Sequence, residues 1–222
     1  WMQLTAVCAM MLALILPLPL SQPPAYADEP PTVGARARQS AAWRDFLLLW
    51  SARLLVQVAG SLLFAFLFYY LQSLPGSASQ ADVARLSAFS LLIAFPAALA
   101  AGHFSDRLGP RKPFLIGAVA VTALGLGLMA SPADRGSAAI GYALFGSGSA
   151  VFLALHSGFA MQLLPPPRHR GRDLGVLNLA NTLPAIIAPL LAIWLVPGRG
   201  FALLLGLLTA LTMLAAACVM LV

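Results

Sequence analysis

The chain has 222 residues, of which 60% are hydrophobic and only 9% charged, whereas soluble domains carry roughly 25% charged residues. Too few charges remain to cover a water-facing surface, so most of the chain is solvated by lipid. The net charge of +6 sits in short loops between apolar runs, a pattern that reports membrane orientation and excludes nucleic acid as the partner.

A membrane-spanning helix needs roughly 20 apolar residues. The first such run is 1–20. Residues 2–27 also carry the outline of a secretory signal, ending in Ala25-Tyr26-Ala27. Two features weigh against a signal: there is no basic segment before the run, and cleavage after Ala27 would invert the charge bias of every later loop. Segment 21–45 is rich in Pro, Ala and Arg and lacks a helical period. It is expected to be a cytoplasmic linker.

Run 46–72 carries a polar stripe. Arg53, Gln57, Ser61 and Phe64 fall on one helical face. Arg53 is the one ionised side chain well inside an apolar run, about 10 Å along the helix from Phe46. A charge there costs at least ~2.5 kcal/mol, so it needs a watery cavity or a partner helix. The alternative is that its stem snorkels to a lipid phosphate. Run 86–104 follows, then a charged turn, then run 114–130, which Pro113 is placed to open as a first-turn proline. Run 138–164 sets Tyr142, Ser149 and His156 seven residues apart, close to one face. Its glycines 141, 146, 148 and 158 suit close approach of another backbone. A lone His among apolar residues is either a hydrogen-bonded packing residue or a substrate or proton carrier.

Run 174–196 opens on Asn178 and Asn181, neighbours at i, i+3 whose amides must find partners in lipid. Pro184 and Pro189 each remove a backbone donor and are expected to bend this helix, with or without a ligand nearby. Run 201–222 closes the chain. It and run 114–130 hold only Thr122, Thr209, Thr212 and Cys218 as weakly polar residues, so both are expected to face lipid. Cys8 and Cys218 lie inside apolar runs and fit neither a disulfide framework nor a zinc site.

If the runs alternate across the membrane, Arg36, Arg38, Arg44, Arg107, Arg111, Lys112, Arg168, Arg170 and Arg172 share one side, against Arg85, Arg135 and Arg199 on the other. The richer side is then cytoplasmic, with the amino end outside and the carboxyl end inside.

The turn between the runs 86–104 and 114–130 reads Gly102-His-Phe-Ser-Asp106-Arg107-Leu-Gly109-Pro-Arg111-Lys112. It resembles the loop signature of the major facilitator superfamily, with Pro110 pushing the basic pair one place along. The resemblance implies an all-α membrane protein and a secondary transporter built from two six-helix halves. In that frame 1–20 is helix 6, 21–45 the inter-half linker, and 46–222 the carboxy-terminal half, helices 7–12. Because the chain opens on Trp1, it is expected to be a fragment whose partner bundle is missing. The family's helices 9 and 12 are peripheral, matching the two polar-poor runs. Gly102, Asp106, Arg107, Gly109, Arg111 and Lys112 then form a gating motif, in which Asp106 pairs with a base or a helix amino end. Candidate cavity residues are Arg53, Gln57, Tyr142, Ser149, His156, Asn178 and Asn181.

At finer grain, Arg53-Leu-Leu-Val-Gln57, Tyr69-Tyr70-Leu-Gln72 and the stretch Gly171 to Pro184 are similar to the glycoside/cation and sucrose symporter branch. That branch implies a sugar or glycoside substrate coupled to a proton or sodium ion in a bacterial inner membrane. Tyr69 and Tyr70 suit a sugar face or, equally, an interfacial belt. No Asp or Glu lies inside an apolar run, so a coupling carboxylate belongs to the partner bundle or His156 takes its place. The competing class is a non-transporting scaffold or receptor-like half-protein. Paired carboxylates, a zincin His pair and a nucleophile elbow are all lacking, so neither an enzyme nor a cofactor or metal is expected.

Overall fold

The computed structural model describes residues 33–109, 111–131, 134–163 and 170–222. The expected helix 1–20 and the first part of the linker lie outside them. The described residues form α1 (Val33–Ser73), α2 (Gln80–Leu108), α3 (Lys112–Ala130), α4 (Arg135–Leu163), α5 (Arg170–Thr182) and α6 (Pro184–Leu221). Among the described residues, six stretches are long and apolar enough to cross a membrane: Ala42–Ser73, Gln80–Leu108, Lys112–Ala130, Arg135–Ala160, Gly175–Gly198 and Gly200–Leu221. They match the six runs expected from 46 onward to within a turn or two at each end.

Each boundary has a local cause. Ser79 and Asp82 close a capping box before α2: Asp82 N donates to Ser79 Oγ (3.2 Å) and Ser79 N donates to Asp82 Oδ2 (2.9 Å). Asp134 caps α4 by accepting from Ser137 N at 2.7 Å, and that backbone hydrogen bond holds its carboxyl below the usual range. Pro184 opens α6 just after a turn at Leu183, so α5 and the start of α6 act as one span with a break before the proline. Gly200, at φ 73° and ψ 178°, interrupts α6 and lets the chain re-enter as the last span.

Part of the linker expectation fails. Residues 33–45 are helical and continuous with the first span. Beyond Pro31 the segment contains no proline and is rich in Ala and Arg, strong helix formers that need no apolar period.

α3 lies between α4 and α6, α1 packs on α6 and α4, and α2 leans on α4. One apolar cluster joins Leu62, Leu67, Leu126, Met129, Phe145 and Leu204. A second joins Leu49, Val56, Leu115, Val119, Phe152 and Val219 near the other ends of the same helices. Tyr70 belongs to the first cluster, its hydroxyl donating to Met129 O at 2.9 Å; it is a core residue and not a belt or sugar-stacking one.

Within this bundle the two polar-poor helices are not the least buried. In the most apolar stretch of α3, 44% of residues are buried, as many as in α1 and against 11% in α2. The last span reaches 33% and Gly175–Gly198 only 22%. A scarcity of polar groups shows that a helix avoids water; it does not distinguish lipid from protein. Glycines make the difference. A Cβ on Gly125 would collide with the backbone of Gly141 and Phe145, and one on Gly148 with Thr122 and the Ala118 carbonyl. The hydroxyls of Thr122, Thr209 and Thr212 bond back to their own helices, each at 2.8 Å.

This seam carries a prediction. Gly125→Val should destabilise the protein by about 1–3 kcal/mol or more, because backbone atoms cannot yield to the added carbons. Gly117→Val, where a Cβ meets nothing within 4 Å, should stay within about 0.5 kcal/mol of wild type. Thermal unfolding of both variants in one detergent checks the contrast; equal midpoints would mean the seam is not tight.

Candidate functional site

The charged turn is built around Gly109. α2 ends at Leu108, and Gly109 takes φ 87° while its N–H donates to Ser105 O at 3.0 Å, a left-handed geometry that favours glycine. The chain then doubles back, and Arg111 Nη2 donates to Asp106 Oδ1 at 2.9 Å. This is the acid–base contact expected for Asp106. The Arg111 guanidinium also lies against Gly158 of α4, where a Cβ would strike Nη1. Lys112 Nζ donates to Met220 O at 2.7 Å, satisfying a carbonyl at the negative end of α6. One turn thus pins α2, α4 and α6 at the same end of the bundle. Arg107 is exposed, and nothing lies within 4 Å of where a Gly102 Cβ would stand. The side chains of Arg170, Arg172 and Asp173 lie outside the described residues.

At the other end of the bundle, Arg135 at the start of α4 donates to the carbonyls of Ser77 (2.5 Å) and Gly76 (2.7 Å). It ties down the α1–α2 loop.

The second site gathers on α1, α4 and α5 around Arg53. Its Nε donates to Asn181 Oδ1 at 3.0 Å, and its Nη1 reaches His156 Nδ1 at 3.2 Å and Ser157 Oγ at 3.1 Å. Gln57 Nε2 donates to the same Asn181 oxygen at 3.2 Å, and Asn181 Nδ2 donates to Asn178 Oδ1 at 3.1 Å. A guanidinium only donates, so it fixes its neighbours in turn. The Asn181 amide must present oxygen to Arg53, hence nitrogen to Asn178. His156 must accept at Nδ1, which puts its proton on Nε2, and Nε2 stands 2.9 Å from the Leu49 carbonyl. His156 is fully buried with both ring nitrogens engaged. It supports Arg53 from behind and does not line the cavity.

A cavity of about 500 Å³ opens beside the cluster, lined by Arg53, Ser157, Gly175, Leu177, Asn178 and Asn181. The described ion pairs are Arg44–Asp45, Asp82–Arg85 and Asp106–Arg111, and none involves Arg53. Among the described residues no group of three His, Cys, Asp or Glu side chains is placed to hold a metal ion.

Of the expected cavity residues, the structure brings together Arg53, Gln57, Asn178 and Asn181, with His156 behind them. Tyr142 and Ser149 do not join. Tyr142 packs beside Phe145 with ring centroids 6.3 Å apart, and Ser149 Oγ donates to Gly146 O at 3.1 Å. Sharing a face is not sharing a depth: fourteen residues of helix separate Tyr142 from His156 by about 21 Å. Two contributors were missed, Ser157 and Trp50, whose Nε1 donates to Val176 O at 2.7 Å and ties α1 to α5.

The sequence profile described as Major Facilitator Superfamily matches residues 49–222, from four residues before Arg53 to the last residue of the chain. A comparison with curated proteins found no match.

Proposed function

The chain belongs to the major facilitator superfamily of membrane transporters, and on that premise we propose that its six spans are the carboxy-terminal half of an alternating-access carrier for a small solute. The observation that carries this is the cavity at Arg53. A guanidinium inside a span is unfavourable by at least ~2.5 kcal/mol, yet this one is held by neutral acceptors from two other helices and borders open space. A structural charge would be enclosed by its partners; an exposed one in a polar pocket suits a ligand.

The two stretches similar to the sugar-symporter branch meet in this pocket: Arg53 and Gln57 from one touch Asn181 from the other. This favours a polar, hydroxyl-bearing solute such as a sugar or glycoside. Coupling to a proton or sodium ion is part of the proposal. Protonating His156 at Nδ1 would displace Arg53, so the coupling group is sought on the amino-terminal helices of the full carrier. The end that holds Asp106, Arg111 and Lys112 is assigned to the cytoplasm by the excess of basic residues there, in a bacterial inner membrane. In the same picture the Asp106–Arg111 pair acts as part of the cytoplasmic gate.

Alternating access can be tested without knowing the solute. Asn178→Cys, in a background with Cys8 and Cys218 replaced by serine, should react with a membrane-impermeant maleimide from both sides of sealed vesicles. Labelling from one side only would point to the non-transporting scaffold.

A further inference from the structure

We propose that the solute received at this cavity is an organic anion, its carboxylate taking up the free edge of Arg53; this rests on the transport reading above and narrows its substrate class to acidic solutes. A guanidinium carries hydrogens on Nε, Nη1 and Nη2. The Nε hydrogen goes to Asn181, and the Nη1 hydrogens serve His156 and Ser157. Nη2 donates to no described residue. The Nδ2 group of Asn178 is likewise left over, since that side chain only accepts, from Asn181. Both residues line the cavity.

Two donors at the cavity are therefore uncommitted, while each of its side-chain acceptors is already engaged at least once. Asn181 Oδ1 is already taken twice, by Arg53 and Gln57. Ser157 Oγ accepts from Arg53 and donates to Leu153 O at 3.0 Å. A neutral sugar can accept from these donors, but it leaves the Arg53 charge without a counter-charge. A carboxylate brings only acceptors, and it supplies the negative charge that Arg53 lacks among the described residues. The arrangement is also stiff. His156 and Asn181 hold the guanidinium plane from two helices, so little ordering remains when the anion arrives.

Two other anions compete for the same edge: a phospholipid headgroup, and a carboxylate from helices outside the described residues. The test separates them. The full chain is placed in nanodiscs of phosphatidylcholine alone, which removes anionic lipid, and its thermal unfolding is followed by tryptophan fluorescence. D-glucuronate is paired with D-glucose, and D-gluconate with sorbitol, with sodium chloride at matched concentration as the ionic control. We expect at least one anion to raise the midpoint saturably, with its neutral twin requiring a concentration at least ~10-fold higher. Arg53→Gln should erase that preference, while Arg53→Lys, which keeps the charge, should retain part of it. Equal protection by the neutral twins, no protection by either anion, or a preference that survives Arg53→Gln would each overturn the proposal. A large fall in the ligand-free midpoint of Arg53→Gln, with no anion effect on wild type, would assign the edge to an internal acid and overturn it as well. The transport reading fails separately, through one-sided labelling at residue 178.

Discussion

Replacing His156 with leucine should destabilise the protein by about 1–3 kcal/mol and reduce transport severely, because it removes an acceptor from a charged donor. The two side chains have similar bulk, so the apolar contact with Phe152, whose ring lies 5.2 Å from the imidazole, is largely kept. What is lost is the Nδ1 lone pair facing Arg53 Nη1. The guanidinium then keeps Asn181 and Ser157 but loses the contact that sets its tilt. The energy falls toward the lower end of that range, since Arg53 borders the cavity and water there can take the freed hydrogen. His156→Gln separates hydrogen bonding from bulk, because an amide can accept from Arg53 through oxygen and donate to Leu49 through nitrogen. Unfolding midpoints and uptake in proteoliposomes should rank wild type above glutamine and glutamine above leucine. A leucine variant as stable and active as wild type would mean that Arg53 is positioned by Asn181 and Ser157 without help from His156.

How much of this was legible in the sequence follows from what lipid demands. Apolar runs of spanning length leave no alternative to helices, so the six spans from 46 to 222 could be read directly, and so could the acid–base turn at Asp106. Polar residues in such runs must find partners, which singled out Arg53, Gln57, Asn178 and Asn181. Helical spacing gives direction only, and that is why Tyr142 and Ser149 were grouped with His156 although they lie at other depths. Ser157 stayed hidden because a helical serine ordinarily satisfies itself on its own backbone, as it also does here with Leu153. Trp50 stayed hidden because its partner is a main-chain carbonyl, which every residue carries. The burial of α3 could not be read from its apolar residues, which suit lipid and protein equally; its glycines were the better signal.

Asp106→Asn should slow transport by up to ~5-fold while leaving folding and solute binding nearly unchanged, a factor that corresponds to about 1 kcal/mol in a barrier. The carboxylate is largely exposed and Arg111 partly buried, at 66% and 27% side-chain exposure. An exposed pair of this kind adds only ~0–1 kcal/mol to stability, so losing it should hardly move the unfolding midpoint. Its leverage lies in what Arg111 touches. The same guanidinium rests on Gly158 of α4, and the next residue, Lys112, is bonded to the carboxyl end of α6. A contact made in one state of a gate and broken in the other biases the two states by its full strength. The amide keeps shape and an oxygen acceptor and removes only the charge, so a changed rate reports electrostatics and not packing. Arg111→Lys offers the complementary test. It keeps the charge but loses the planar fork that reaches Asp106 and covers Gly158 together, and it should slow transport at least as much. Initial uptake rates in proteoliposomes, set beside equilibrium solute binding by the same variants, provide the check. Unchanged rates in both would reduce the turn to a marker of topology, and a parallel loss of binding would move its role from the gate to the fold.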